Sequence, residues 1–103
     1  MSYEENVRDT PEKYDLTVVV EMDSGGSYDF DIHIVWKHKD GTLYYAHDSG
    51  CSCPHPFEDF EDLESLEKIE KDHFGSFQDR INLLDAFDMT ERAQFLRKVK
   101  EAF

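Results

Sequence analysis

Tyr28, Phe30, Ile32, Ile34 and Trp36 alternate with Asp29, Asp31, His33, Val35 and Lys37. This period of two makes the segment a β-strand with one apolar face, and everything else in the chain must accommodate it. Asp40-Gly41 follows at once. That dipeptide favours a two-residue type I′ hairpin, in which both central residues take positive φ. A two-residue loop sets Lys39 opposite Thr42, Trp36 opposite Tyr45 and Ile34 opposite His47, with a partner strand from Thr42 to His47. Trp36 and Tyr45 then form a cross-strand aromatic pair on the apolar face. On this register His33 points to the opposite, solvated face, and His47 packs against Ile34 as a hydrogen-bonded histidine.

Upstream, Leu16, Val18, Val20 and Met22 alternate with Thr17, Val19 and Glu21, which predicts a further half-buried strand. The turn Asp23-Ser24-Gly25-Gly26-Ser27 joins the two. Three strands in an antiparallel meander leave one apolar face that needs a cover. The second half of the chain offers helices for that cover. Phe60, Leu63, Leu66 and Ile69 recur at three-residue spacing, with Glu64–Lys68 and Glu67–Lys71 as i,i+4 pairs. Gly75 suits the end of this helix, and Ser76 with Asp79 suits a capping box for a second, striped by Phe77, Ile81, Leu84 and Phe87. Thr90 is the expected cap of a third, with Phe95, Leu96, Val99 and Phe103 on one face. The expected fold class is therefore α+β: a three-stranded antiparallel meander followed by about three helices packed on one face. Residues 1–14, polar and without periodicity, read as a flexible N-terminal arm, and residues 15–103 as a single domain.

Charge restricts the function classes. The 103 residues carry a formal charge of −13, from 24 acidic and 11 basic side chains. Direct nucleic-acid binding and adhesion to anionic membrane need the opposite sign, so neither is expected. Basic proteins and cations are the partners that such a field attracts. Residues 58–72 hold eight acids against Lys68 and Lys71, while residues 91–103 reverse the sign with Arg92, Arg97, Lys98 and Lys100 against Glu91 and Glu101. That basic segment is expected to dock on acidic surface of its own chain or on a partner. Glu58, Asp59, Glu61, Asp62 and Glu64 are the candidate partner-binding residues. On a helix they would form either a solvating face or a docking face, and DNA mimicry is one form of the latter, with carboxylates standing where phosphates would lie. Apolar runs such as Val18-Val19-Val20 fall far short of the ~20 residues that span a bilayer, and Met1–Glu5 shows no basic segment followed by an apolar core. The expected location is cytoplasmic.

Both cysteines lie in Asp48-Ser49-Gly50-Cys51-Ser52-Cys53-Pro54-His55-Pro56-Phe57. Cys51 and Cys53 with His47 or His55 are the donors zinc prefers, and they are the metal candidates of the chain. One residue between the cysteines, instead of two to four, weakens that reading. Small reduced cysteines turning a proline-rich loop are the competing reading, and a strained, reducible disulfide is a third. Cys51 activated by His47 or His55 would be a nucleophile, but the glycine-flanked serine elbow, the His-Glu-x-x-His zinc motif and phosphate-binding glycine loops are all missing. Asp29 and Asp31 lack the oxygen-ligand loop of a calcium site. No catalytic residue, no cofactor and no enzyme activity are expected.

Trp36, Asp40-Gly41, Tyr44-Tyr45-Ala46 and Asp48-Ser49-Gly50-Cys51-Ser52-Cys53-Pro54 with Pro56-Phe57-Glu58 resemble a family of small uncharacterised acidic proteins of actinobacterial phages, over roughly residues 28–60. The family has no assigned activity, so the resemblance implies no site residue. The position of His55 in that pattern is often a small polar residue, which argues against His55 as an essential ligand. The resemblance implies a phage protein acting in the cytoplasm of the infected cell. The expected function is a non-enzymatic module that binds and modulates a host protein. The alternative is a small zinc domain built on the Cys51/Cys53 loop.

Overall fold

The computed structural model describes residues 7–8, 10–25, 29–51, 60 and 62–103. Four strands form one antiparallel sheet in sequence order: β1 Leu16–Asp23, β2 Asp29–His38, β3 Leu43–Cys51 and β4 Glu67–Ile69. Two helices follow, α1 Phe74–Asn82 and α2 Met89–Ala102. Short 3-10 turns lie at Pro11–Tyr14, Leu63–Ser65 and Lys71–His73. The α+β class holds. The expected three strands and three helices are, among the described residues, four strands and two α-helices.

The hairpin between β2 and β3 differs from expectation by one residue, and that residue changes the molecule. His38 N–H donates to the Thr42 carbonyl (2.8 Å) and Gly41 N–H to the His38 carbonyl (2.8 Å). The loop is therefore Lys39-Asp40-Gly41. Only Gly41 in it takes positive φ, at 96°, which is the three-residue form ending on a left-handed glycine. Asp40 Oδ1 accepts from Thr42 N–H at 2.9 Å and holds the turn closed. The register becomes Trp36 opposite Tyr44, Val35 opposite Tyr45 and His33 opposite His47. A one-residue slip sends every β3 side chain to the other face. Tyr45 thus leaves the Trp36 face, and His33 and His47 exchange the environments expected of them: His33 is 1% exposed, and the His47 side chain is 41% exposed.

β1 also changes face along its length. Val18 pairs with Trp36 and Val20 with Val35, so Val19 is an extra residue, a β-bulge. Leu16 consequently packs with Trp36, while Met22 packs on the opposite side with Val35. The expected single apolar face of β1 is divided between two cores.

Both faces of the sheet are covered. On one, Val35, Leu43, Tyr45 and Ile69 meet Phe77 and Ile81 of α1 and Phe95, Leu96 and Val99 of α2. On the other, Trp36, Ile34, Ile32 and Tyr44 are covered by Val7, Leu66 and, at the margin, Tyr14, Phe60 and Leu63. Val7, within the expected loose arm, is completely buried, and its N–H donates to the Phe60 carbonyl at 2.9 Å. The helices therefore sit on the face opposite the one they were expected to cover. β2 is an inner strand covered on both faces: Ile32 through Trp36 are five consecutive buried residues. A strand buried on both faces no longer shows its burial as alternation.

The helix expected over Phe60–Ile69 does not form. Leu66 and Ile69 enter different cores, one on each side of the sheet, because Glu67–Ile69 is extended and pairs with Leu43–Tyr45. Glu67 accordingly pairs with Arg80 of α1, at 2.7 and 3.0 Å, and not with Lys71. Gly75 and Ser76 lie inside α1 instead of ending one helix and starting another. The cap of α2 is Asp88, whose carboxylate accepts from Glu91 N–H at 2.7 Å in a capping box, and not Thr90. Arg92 reaches back from α2 to the Asn82 carbonyl (2.6 Å), satisfying the C-terminal end of α1. Of the expected stripe residues, Phe77, Ile81, Phe87, Phe95, Leu96 and Val99 are buried, Leu84 is half-buried and Phe103 is exposed, and Leu84 and Phe87 lie beyond the end of α1.

Candidate functional site

Asp31 and His33 are two residues apart on β2 and so share a face, and His47 on β3 is the direct cross-strand neighbour of His33. The three side chains meet where the helix layer ends. One ligand atom from each lies within 4.8 Å of the others. His47 Nε2 donates to Asp31 Oδ1 at 2.5 Å, and His33 Nε2 lies 3.5 Å from the same oxygen. The two imidazoles stack with centroids 4.1 Å apart and planes 8° from parallel.

Each inner member of the cluster is held by a second group. His33 Nδ1 and the Tyr45 hydroxyl are 2.7 Å apart in the protein interior, and the Phe87 ring meets His33 edge-on at 5.3 Å. Ser24 Oγ donates to Asp31 Oδ2 at 2.9 Å, which leaves Oδ1 facing both imidazoles. Burial disfavours the charged imidazolium and pushes His33 down to about 4, so its ring is neutral at neutral pH. Asp31 is held below its ordinary carboxyl value: burial alone would raise it, and the bonds from His47 and Ser24 with the nearby imidazoles outweigh that. Burial pushes Tyr45 up to about 12 against the pull of Arg80, so the phenol keeps its proton. The Arg80 guanidinium lies 5.7 Å from the Tyr45 ring centroid, tied to Glu67 on its other side. The site thus offers one carboxylate and two imidazoles, one buried and one at the surface.

Of the residues singled out in the sequence, His47 belongs to this cluster, with Asp31 and His33 as its neighbours. Cys51 ends β3, four residues beyond His47, a distance of ~13 Å along an extended strand at ~3.3 Å per residue. Cys53 and His55 lie outside the described residues, as do Glu58, Asp59 and Glu61. Asp62 is exposed and caps the Leu63–Ser65 turn, accepting from Ser65 N–H and Oγ at 3.1 and 3.0 Å; Glu64 is exposed. With Glu67, Glu70 and Asp72 these carboxylates follow the β4 edge of the sheet, all exposed. Among the described residues, His73 beside Glu70 and Arg80 beside Glu67 are the basic side chains paired with them. The basic residues Lys98 and Lys100 of α2 form no ion pair among the described residues, and Arg97 pairs within the helix, with Glu101 at 3.5 Å. The helix docks through its apolar face and through Arg92, which reaches the Asn82 carbonyl.

The Asp31–His33–His47 constellation was missed from sequence because its signal is conditional on register. Asp-x-His on one strand and a histidine on the next become a cluster only when the turn places His47 opposite His33.

A family described as a domain of unknown function, DUF7574, matches residues 5–102, nearly the whole chain, and the chain belongs to that family. No curated protein and no solved structure matches it. No helix among the described residues is long and apolar enough to cross a membrane.

Proposed function

We propose that this member of the DUF7574 family is a non-enzymatic binding module whose acidic β4 edge engages a basic surface of a partner protein. The observation that carries this reading is the exposure of Asp62, Glu64, Glu67, Glu70 and Asp72 along one edge of the sheet, in a chain of net charge −13. A carboxylate row beside a low-dielectric sheet steers a basic partner from a distance and loses strength as salt screens it. In the phage setting that the sequence resemblance implies, the partner is a host protein in the cytoplasm of the infected cell. The β4 edge does not carry the helical ladder of carboxylates that the sequence suggested, so DNA mimicry rests on charge alone and is tested as a sub-case. β4 has three residues and charged neighbours, features that keep an edge strand from recruiting other strands, so the contact made there is electrostatic.

The test uses the full chain as bait at low and high salt beside an E64Q/E70Q/D72N variant. A partner retained at low salt, released at high salt and lost with the variant supports the reading. A partner held equally by both baits, or unaffected by salt, overturns it. Competition of that partner by duplex DNA would establish mimicry.

A further inference from the structure

We propose that Asp31, His33 and His47 form a binding site for one divalent transition-metal ion, with zinc the best match to the donors. This goes beyond the acidic-edge reading and stands independently of it, since Asp31, His33 and His47 lie on β2 and β3 and not on β4.

Four features of the site point to an ion. The donor set is one hard carboxylate oxygen and two borderline imidazole nitrogens, and the imidazoles make it suit zinc, cobalt, nickel or iron(II) better than calcium or magnesium. The outer atoms are already occupied: Ser24 holds Asp31 Oδ2, and the Tyr45 hydroxyl holds His33 Nδ1. This is the arrangement of metal sites in which the far side of each ligand is fixed by a neighbour, leaving Oδ1 and Nε2 directed at a common point. His33 is confined by His47, Tyr45 and Phe87, so its orientation needs no ordering when the ion arrives. The last ligand, His47, is on the surface and can swing. Zinc–ligand bonds of ~2.0–2.1 Å place ligand atoms ~3.3 Å apart in a tetrahedron; His33 Nε2 is already 3.5 Å from Asp31 Oδ1, and rotation of His47 opens its 2.5 Å contact with that oxygen to admit the ion. The ion would take the place of the hydrogen bond between His47 Nε2 and Asp31 Oδ1. Three protein ligands leave a fourth position for water or for a donor from another molecule.

A buried histidine is otherwise unexplained. His33 is the polar side chain buried in this core among the described residues, and an apolar residue of its size would pack there without needing Tyr45. The Cys51/Cys53 loop, the alternative zinc reading that the sequence offered, is a competing site, and the experiment separates the two.

Zinc stoichiometry and affinity are measured on the chelator-treated full chain by native mass spectrometry and titration calorimetry. The proteins are wild type, C51S/C53S, D31N, H47A and S24A. The expected result is one zinc per wild-type chain, retained by C51S/C53S. Loss of a ligand in D31N or H47A should weaken binding by more than tenfold, and S24A should weaken it by about tenfold or more through Asp31 orientation. Cobalt(II) should bind wild type with no thiolate charge-transfer band. A wild-type chain that takes up no zinc overturns the proposal, as does zinc bound equally by wild type, D31N and H47A. Zinc lost in C51S/C53S with a thiolate–cobalt band moves the site to the cysteines and overturns it too. Circular dichroism of each variant checks the fold, and the wild-type cobalt spectrum decides the matter even if a variant does not fold.

Discussion

His33 concentrates the polar chemistry of the interior. It is surrounded by His47, Asp31, Tyr45 and Phe87, and its one firm hydrogen bond is to the Tyr45 hydroxyl. Tyr45→Phe leaves His33 Nδ1 buried without that partner, and such an orphaned group costs about 1–3 kcal/mol. A lower urea midpoint with an unchanged m value is the expected outcome. The same residue gives the metal-free protein a pH dependence. His33 is pushed down to about 4 in the folded state, against an ordinary 6.5. The unfolded chain therefore binds the proton first, and stability falls as pH drops from about 6.5 toward 4. Asp31 is lowered as well, so its contribution is lost at more acid pH still, in the same direction. Urea melts in chelator across pH 4–7 check this. A His33→Gln variant should lose the dependence in the upper part of that window, where Asp31 stays ionised and His47 and Tyr45 are the other titratable groups facing it.

At the scale of elements, the caps decide where helices start. Asp88 closes a capping box on α2, so Asp88→Ala should cost about 1 kcal/mol, within the 0.5–2 kcal/mol range of such caps. Thr90 lies inside the first turn of α2 and is exposed, so Thr90→Ala should change stability by less than about 0.5 kcal/mol. Paired thermal melts of the two variants measure the difference. The helical stripes Phe77–Ile81 and Phe95–Leu96–Val99 were legible because a helix repeats every 3.6 residues whatever it packs against. The segment Leu63–Ile69 was not. Its three-residue apolar spacing fits a helix, but pairing with β3 and burial of Ile69 overrode that local preference. The candidate site was half legible. Asp31-x-His33 and His47 are plain in the sequence, but their meeting depends on whether Asp40-Gly41 closes a loop of two residues or of three.

At the scale of the molecule, the sheet separates two cores of different construction. α1 and α2 supply one, and the segments around Val7 and Leu66 supply the other. Trp36 is in the second, beneath cover contributed by residues that precede β1 and by residues between β3 and β4. Val7→Ala should therefore cost about 1–2 kcal/mol, less than full burial of a valine is worth, since Ala keeps part of the contact. Truncation of the first nine residues should open the Trp36 face and shift the single tryptophan's emission to the red. An emission maximum unchanged by the truncation would show that Val7 is no part of this cover. The acidic surface acts at the same scale: a chain of charge −13 repels itself, and the β4 edge exposes part of that charge.

The sequence by itself determined the α+β class, the β2 strand, the helical stripes of the C-terminal half and the sign of the surface charge. These depend on periodicity and composition, which neighbouring residues express without reference to the rest of the chain. Tertiary structure decided the hairpin register, the bulge that divides β1, the conversion of an expected helix into β4 and the face on which the helices lie. The register, the bulge and the helix-bearing face turn on parity, and β4 on its pairing with β3. A shift of one residue in a strand exchanges its two faces at little local cost, and only the packing of the whole sheet selects between them. The meeting of His33 with His47 and Asp31 is a consequence of that selection.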